Sequence, residues 1–123
     1  MTMDKIKPGQ SAEMEVEVTS DLTINRTGKP GAEVLSTPSL LHLMELTSIE
    51  ATDHLLPSGY TTVGFAVDKL RHLAPTPLGA RVRIRSELTD VDGSKLTYSI
   101  EAFEGDKTIG VATHRRAAIS IAP

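Results

Sequence analysis

Ser36-Thr37-Pro38-Ser39-Leu40-Leu41-His42-Leu43-Met44-Glu45-Leu46-Thr47-Ser48-Ile49-Glu50 is the stretch on which the fold turns. Ser36 or Thr37 is a natural N-cap, and Pro38 suits the start of a helix, where its missing N–H leaves no bond unmade. Leu40, Leu41, Leu43, Met44 and Leu46 leave little polar face over the next two turns, and a helix apolar nearly all round is a buried one. The pattern predicts a helix from about Pro38 to His54, ended by Asp53, Leu55-Leu56-Pro57 and Ser58-Gly59. Glu45 stands in the middle of that apolar run. A carboxylate among leucines is expensive to bury unless it is paired, protonated or put to use, so Glu45 is the first candidate functional residue.

Outward from the helix the period changes. Residues 1–11 are polar and include Pro8-Gly9, which predicts a loosely held start. From Ala12 the chain alternates, with Met14, Val16 and Val18 on one side and Glu13, Glu15 and Glu17 on the other, the mark of a half-buried strand with a wet acidic face rather than a metal site. Asp21 to Leu35, interrupted by Asn25, Gly28, Pro30 and Gly31, reads as a loop with at most a short turn of helix, and loops of that length tend to be binding segments or lids. Beyond the helix, Thr61 to His72 is rich in strand formers, and Ala74-Pro75-Thr76-Pro77-Leu78-Gly79 is a stiff turn. Val82, Ile84 and Leu88 alternate with Arg81, Arg83, Arg85 and Glu87; Asp92-Gly93 turns the chain; Leu96, Tyr98 and Ile100 alternate with Thr97, Ser99 and Glu101. After Gly105-Asp106, a last strand alternates through Ile109, Val111, Thr113, Arg115, Ala117, Ile119 and Ile121 over thirteen residues.

One helix followed by hairpin-linked strands is an α+β arrangement: an antiparallel sheet of about five strands wrapped around one long central helix, as a single domain over residues 1–123. An open sheet has edges that must be covered or paired. The final strand or the Thr61–His72 strand is expected to meet a second copy, giving a homodimer or a tetramer of two such pairs.

Composition narrows the function classes. A net charge of −3 gives no electrostatic footprint for nucleic acid or an anionic membrane. No run of eighteen apolar residues and no basic-then-apolar leader is present, so neither a membrane span nor a signal peptide is expected. The chain has no cysteine, which fits a cytoplasmic setting and excludes thiolate chemistry. The four histidines, His42, His54, His72 and His114, lack the close pairing of a zinc site; no metal and no cofactor is expected.

The order and spacing of several short motifs give a resemblance. These are Glu33-Val34-Leu35-Ser36-Thr37, Leu43-Met44-Glu45, Val63-Gly64 with His72 eight residues on, Asp92-Gly93, Ile109-Gly110 and Thr113-His114-Arg115-Arg116. Over about Glu33 to Ile119 the chain resembles the fluoroacetyl-CoA thioesterase group of the hotdog-fold superfamily. The resemblance implies the hotdog fold and hydrolysis of an acyl-CoA thioester at a dimer-interface site. It places the catalytic threonine at Thr37, the glutamate at Glu45 and the histidine at His72, and makes Gly64 the source of a backbone donor near the thioester carbonyl. It lapses before Thr37: Thr27-Gly28-Lys29-Pro30-Gly31-Ala32 contains no phenylalanine, whereas the fluoroacetate-selective member has phenylalanines there, so the acyl group is left open.

These residue types suit that chemistry. Thioester hydrolysis needs a nucleophile, a base to activate it and donors for the oxyanion. Glu45 in an apolar helix suits a base or nucleophile, His72 a proton donor to the leaving thiolate, and Thr37 a nucleophile or an orienting hydroxyl. Arg116 is the expected contact for the phosphates of CoA, because guanidinium binds phosphate through paired hydrogen bonds. One spacing is awkward. In a regular helix Thr37 and Glu45 stand about 12 Å apart along the axis, so they meet across substrate or a subunit interface, or the helix starts later.

Overall fold

The computed structural model describes residues 3–121, and its order of elements follows the sequence pattern closely. Strand β1 (Ser11–Glu17) is followed by two two-residue strands, β2 (Thr23–Ile24) and β3 (Val34–Leu35), then helix α1 (Thr37–Thr52) and four long strands: β4 (Tyr60–His72), β5 (Arg81–Asp92), β6 (Lys95–Glu104) and β7 (Lys107–Ser120). The five longer strands form one antiparallel sheet in the order β1-β5-β6-β7-β4. The helix lies across its concave face, packed against β5, β1, β6 and β4. This is the hotdog arrangement expected for the chain.

Helix α1 begins where the cap dictates. Ser36 is the N-cap, its Oγ accepting the Ser39 N–H at 3.2 Å, so Thr37 is the first helical residue and keeps its hydroxyl free. The helix is less uniformly apolar-in than its leucines imply. It buries Leu40, Leu43, Met44, Thr47, Ser48, Ala51 and Thr52, the i, i+3, i+4, i+7 stripe of a helix seated on one face. The three hydroxyls in that stripe are satisfied locally: Thr47 donates to the Leu43 carbonyl, Ser48 to that of Met44, and Ser48 and Thr52 also reach Ser86 and Tyr98 of the sheet. Leu46, by contrast, points outward. Under the first turns β7 carries Gly110, where an added Cβ would lie 2.8 Å from Leu40 Cδ2 and 3.2 Å from Met44 Cε. The absence of a side chain lets the helix sit down on the sheet.

Two expectations about the sheet are corrected. The start of the chain is not loose over residues 3–11. Ile6 is buried in the core, Met3 packs against it, the Gly9 N–H donates to the Leu88 carbonyl at 2.8 Å and the Leu88 N–H to that of Gln10 at 2.7 Å; Met1 and Thr2 lie outside the described residues. Strand β7 turns the opposite face inward from the one its apolar alternation suggests. Ile109, Gly110, Ala112, His114, Arg116 and Ala118 are buried, while Thr113, Arg115 and Ile119 are not. A register irregularity between Ala102 and Phe103, opposite Gly110 and Thr108, lets Ile109 and Gly110 both turn in and reverses the alternation beyond them. The face with a histidine and an arginine is the inner one.

The acidic side of β1 is the wet ladder expected of it, with Glu15 paired to Arg81 at 2.7 Å and Glu13 to Arg83 at 3.2 Å. Because β7 lies between β6 and β4, the final strand is not an edge. The free edges are β1 and β4, and β4 exposes Val63, Phe65 and Val67.

Candidate active site

The expected site residues fall into two groups. At the start of the helix, Thr37 Oγ1 lies 2.8 Å from Nδ1 of His72, the last residue of β4. Capping by Ser36 is what frees the Thr37 hydroxyl for this bond. His72 is half-buried, and burial lowers its pKa from the usual value near 6.5. A neutral ring with Nδ1 unprotonated accepts the Thr37 proton, the relation of a hydroxyl nucleophile to its general base. Its Nε2 is buried with no protein partner. Strand β4 reaches this point through a bulge between Asp68 and Arg71 that holds Lys69 at a φ of 54°, an uncommon conformation for a residue with a side chain.

The second group gathers around Glu45, two turns further along. Arg116 Nη1 lies 3.4 Å from Glu45 Oε2 and 3.1 Å from His114 Nε2, and His114 Nε2 is itself 3.7 Å from Glu45 Oε2. Arginine carries donors only, so His114 Nε2 accepts and its Nδ1–H donates to the Ala66 carbonyl at 2.9 Å. The ring is therefore neutral. Burial chiefly lowers its pKa and the neighbouring Arg116 charge lowers it further, against opposite pulls from Ala66 and Glu45. Tyr98 stacks on it with ring centroids 6.2 Å apart, its hydroxyl 2.5 Å from Thr52 and pushed up to about 12 by burial.

Arg116 is more enclosed than an arginine on a strand is expected to be. Only 5% of it is exposed, its Nε donates to Thr62 Oγ1 at 2.9 Å and its Nη2 to the Thr62 carbonyl at 3.0 Å. The guanidinium is thus held inside the sheet on both edges, with Nη1 turned to His114 and Glu45. Glu45 is also less enclosed than its leucine neighbours imply, with a side chain 35% exposed. Gly64 lies over this group: an added Cβ would stand 2.9 Å from His114 Cε1, 3.0 Å from Glu45 Oε2 and 3.1 Å from Arg116 Nη1.

Within one chain the two groups do not meet. Helix α1 is regular from Thr37 to Thr52, which leaves Thr37 and Glu45 about 12 Å apart along its axis. Sequence reasoning missed His114 and Thr62 as members of the second group. The alternation of β7, which puts His114 and Arg116 on one side and Arg115 on the other, was the signal for His114.

A family profile described as fluoroacetyl-CoA-specific thioesterase, FlK, matches residues 18–122. The chain belongs to the fluoroacetyl-CoA-specific thioesterase family. It is 35% identical over 89 residues to the fluoroacetyl-CoA thioesterase of Streptantibioticus cattleyicolor, across 72% of this chain and 63% of that protein. The match thus spans somewhat less than two thirds of that relative. A crystal structure of the FlK thioesterase superposes with a TM-score of 0.83 at 28% identity, covering 94% of this chain and 90% of that one. A point mutant of FlK in complex with fluoroacetate and CoA gives 0.83 at 29% identity, covering 94% and 97%. A hot-dog-like protein of Thermanaerovibrio acidaminovorans gives 0.86 at 26% identity, covering 98% and 89%. Where FlK-family resemblance placed a phenylalanine-bearing segment, this family member has a polar loop, folded around Asn25, which accepts from Gly28 N–H at 2.9 Å and donates to the Lys29 carbonyl at 2.8 Å. Among the described residues no helix is long and apolar enough to cross a membrane, and no group of three His, Cys, Asp or Glu side chains is placed to hold a metal.

Proposed function

We propose that this chain hydrolyses a CoA thioester of a small or short acyl group to the free acid and CoA, in the cytoplasm and without metal or cofactor. The observation that carries the reading is the 2.8 Å contact of Thr37 Oγ1 with His72 Nδ1, in a chain whose family is described by thioester hydrolysis. His72 takes the Thr37 proton, or that of a water held there, as the nucleophile attacks the thioester carbonyl, and returns it to the departing thiolate; where Thr37 is the nucleophile, a water then hydrolyses the Thr37 ester, releasing the acid and restoring the hydroxyl. The oxyanion that forms in that attack needs a donor, for which the backbone of Gly64 on the open β4 edge is suited. Glu45, held by Arg116, supplies the carboxylate that activates water or positions the acyl group.

The working site is made by two copies. A homodimer formed by β4 edges covers Val63, Phe65 and Val67 and satisfies the unpaired backbone of that edge, and it brings Thr37 and His72 of one copy toward Glu45 of the other. The open polar loop at 25–31 leaves the acyl pocket without an aromatic cover, which favours no single acyl group over other small ones.

The test is a panel of acyl-CoAs with a thiol-detecting reagent on the parent protein and His72→Ala, together with mixed refolding of Thr37→Ala and Glu45→Ala chains. Thiol release by the parent and its loss in His72→Ala are expected. In a two-chain site, mixing the two inactive variants restores roughly a quarter of parental activity, because half the pairs are mixed and each mixed pair holds one intact site. Binding of CoA esters without thiol release refutes hydrolysis. A monomer in sedimentation velocity, or no restoration on mixing, refutes the shared site.

A further inference from the structure

Asp53 is the C-cap of α1, its backbone N–H on the Ile49 carbonyl. The carboxyl end of a helix is where the macrodipole disfavours a negative charge, and no basic residue in the last turn offsets it. Capping therefore does not explain this side chain. Its partners do. Both carboxylate oxygens accept from Thr62 Oγ1, at 2.9 and 2.8 Å, and Thr62 Oγ1 in turn receives Arg116 Nε–H at 2.9 Å. Thr52 Oγ1 is the other side-chain contact, at 3.5 Å.

The direction of each bond in this chain is fixed by what the groups can do. An ionised carboxylate only accepts and a guanidinium only donates. A threonine hydroxyl between them has one proton, which must go to Asp53, leaving its lone pairs to Arg116. Without the carboxylate the hydroxyl is free to rotate and turn its proton on the guanidinium. The groups then run in sequence: the Asp53 carboxylate at the end of α1, the Thr62 hydroxyl on β4, the Arg116 guanidinium on β7 and the Glu45 carboxylate on α1. Thr62 and Arg116 are both buried, where such bonds are strong and a missing one is expensive. The Thr62 carbonyl on Nη2 and His114 on Nη1 leave Arg116 a single orientation.

We propose that Asp53, acting through the Thr62 hydroxyl, is a positioning residue that sets the orientation of Arg116 and through it the place of the Glu45 carboxylate. The role rests on the thioesterase reading for its effect on rate, but the clamp itself is a property of the folded chain. Neither Asp53 nor Thr62 touches the reacting atoms. Both act on where the carboxylate stands when the thioester arrives.

The experiment compares Thr62→Val, Thr62→Ser, Asp53→Asn and the parent by acyl-CoA hydrolysis and by the arginine side-chain Nε–H signals in nitrogen-15 NMR, with Arg116→Lys used to assign the Arg116 signal. Thr62→Val keeps the β-branched shape and removes the hydroxyl. Its kcat is expected to fall on the order of tenfold, the worth of one hydrogen bond to a charged group, with KM little changed and with the Arg116 Nε–H shifted and exchanging faster. Thr62→Ser restores most of the rate and the protected signal, which a purely steric role for Thr62 would not require. Asp53→Asn shifts the same signal and lowers kcat by several-fold. Parental rates and an unmoved Arg116 signal in Thr62→Val or Asp53→Asn overturn the proposal. If Thr62→Val fails to fold, Asp53→Asn and Thr62→Ser decide it by the same two readouts. A parent without hydrolytic activity whose Arg116 signal responds as described sinks the thioesterase reading and leaves the clamp standing, whereas an active parent with an unresponsive signal does the reverse.

Discussion

Replacing Gly64 by alanine adds one methyl at the point where the three groups of the Glu45 cluster converge. The added carbon would meet His114 Cε1 at 2.9 Å, Glu45 Oε2 at 3.0 Å and Arg116 Nη1 at 3.1 Å, whereas relaxed contacts to carbon lie at about 3.5–4.0 Å. Each neighbour must withdraw by about half an ångström or more. His114 is held by Ala66 and Arg116, and Arg116 by both polar groups of Thr62; the half-exposed Glu45 side chain is the one free to yield. The carboxylate is therefore displaced, and a shift approaching 1 Å in a catalytic group lowers kcat/KM by about 10- to 100-fold. In an ordinary strand the same change is stabilising, since glycine is disfavoured there by about 0.5–1 kcal/mol. Here the crowding costs about 1–3 kcal/mol, for a melting temperature lower by several degrees. Thiol release from an acyl-CoA and a thermal melt give both numbers. A Gly64→Ala protein that melts higher than the parent and hydrolyses as fast would refute the placement of Glu45 under β4.

Gly110→Ala tests the seat of the helix rather than the site. Its Cβ would meet Leu40 Cδ2 at 2.8 Å, so a loss of about 1–3 kcal/mol is expected in urea unfolding, and an unchanged midpoint would contradict the close approach of α1 to β7. The two lowered histidine pKa values set the acid limb of stability. A group held neutral in the native state contributes above its unfolded pKa near 6.5, and that contribution disappears as pH falls through the depressed native value. Melting temperature should therefore fall between pH 7 and pH 5, and fall less steeply in His114→Gln; parallel curves for the two proteins would show that His114 is not held neutral.

The elements of this fold were legible because the physics that forms them is local. The cap at Ser36, the turn at Asp92-Gly93 and the alternation in β1, β5 and β6 each depend on a few neighbouring residues, and β1, α1 and β4 lie within about two residues of their expected bounds, whereas β2 and β3 fall in the stretch read as a loop. The errors lie where a long-range contact overrides the local pattern. Residues 3–10 look like a frayed end, but Ile6 finds a place in the core that no local feature announces. Strand β7 alternates cleanly, yet one irregularity opposite Ala102 and Phe103 decides which side is inner. Thr37 and His72 are paired by resemblance alone in the sequence, and their 2.8 Å contact across 35 residues of chain is tertiary information. Arg116 was recognised as a residue with a purpose. Its burial is not legible, because an arginine in an isolated strand reads as exposed.

The anomaly of Glu45 has its counterpart in the sheet. Enclosing Arg116 inside the fold carries a desolvation penalty that a single ion pair at 3.4 Å to a half-exposed carboxylate would not offset. Five hydrogen-bonded groups make the difference: Thr62 twice, His114, Glu45 itself, and Asp53 behind the Thr62 hydroxyl. Four of those contacts do nothing for the carboxylate except fix the cation that faces it. A core built for stability alone would replace such a set with apolar side chains of similar volume at little loss or some gain. The set lies beneath Gly64, where a Cβ would crowd it, on the strand whose edge is left open, and the proposed use of Glu45 in hydrolysis gives a reason for it that folding alone does not. The corresponding expectation is that Arg116→Met, paired with Glu45→Gln to avoid an unpartnered charge, melts at or above the parental temperature while hydrolysing no acyl-CoA. A double variant that loses stability by several degrees would instead place the cluster among the supports of the fold.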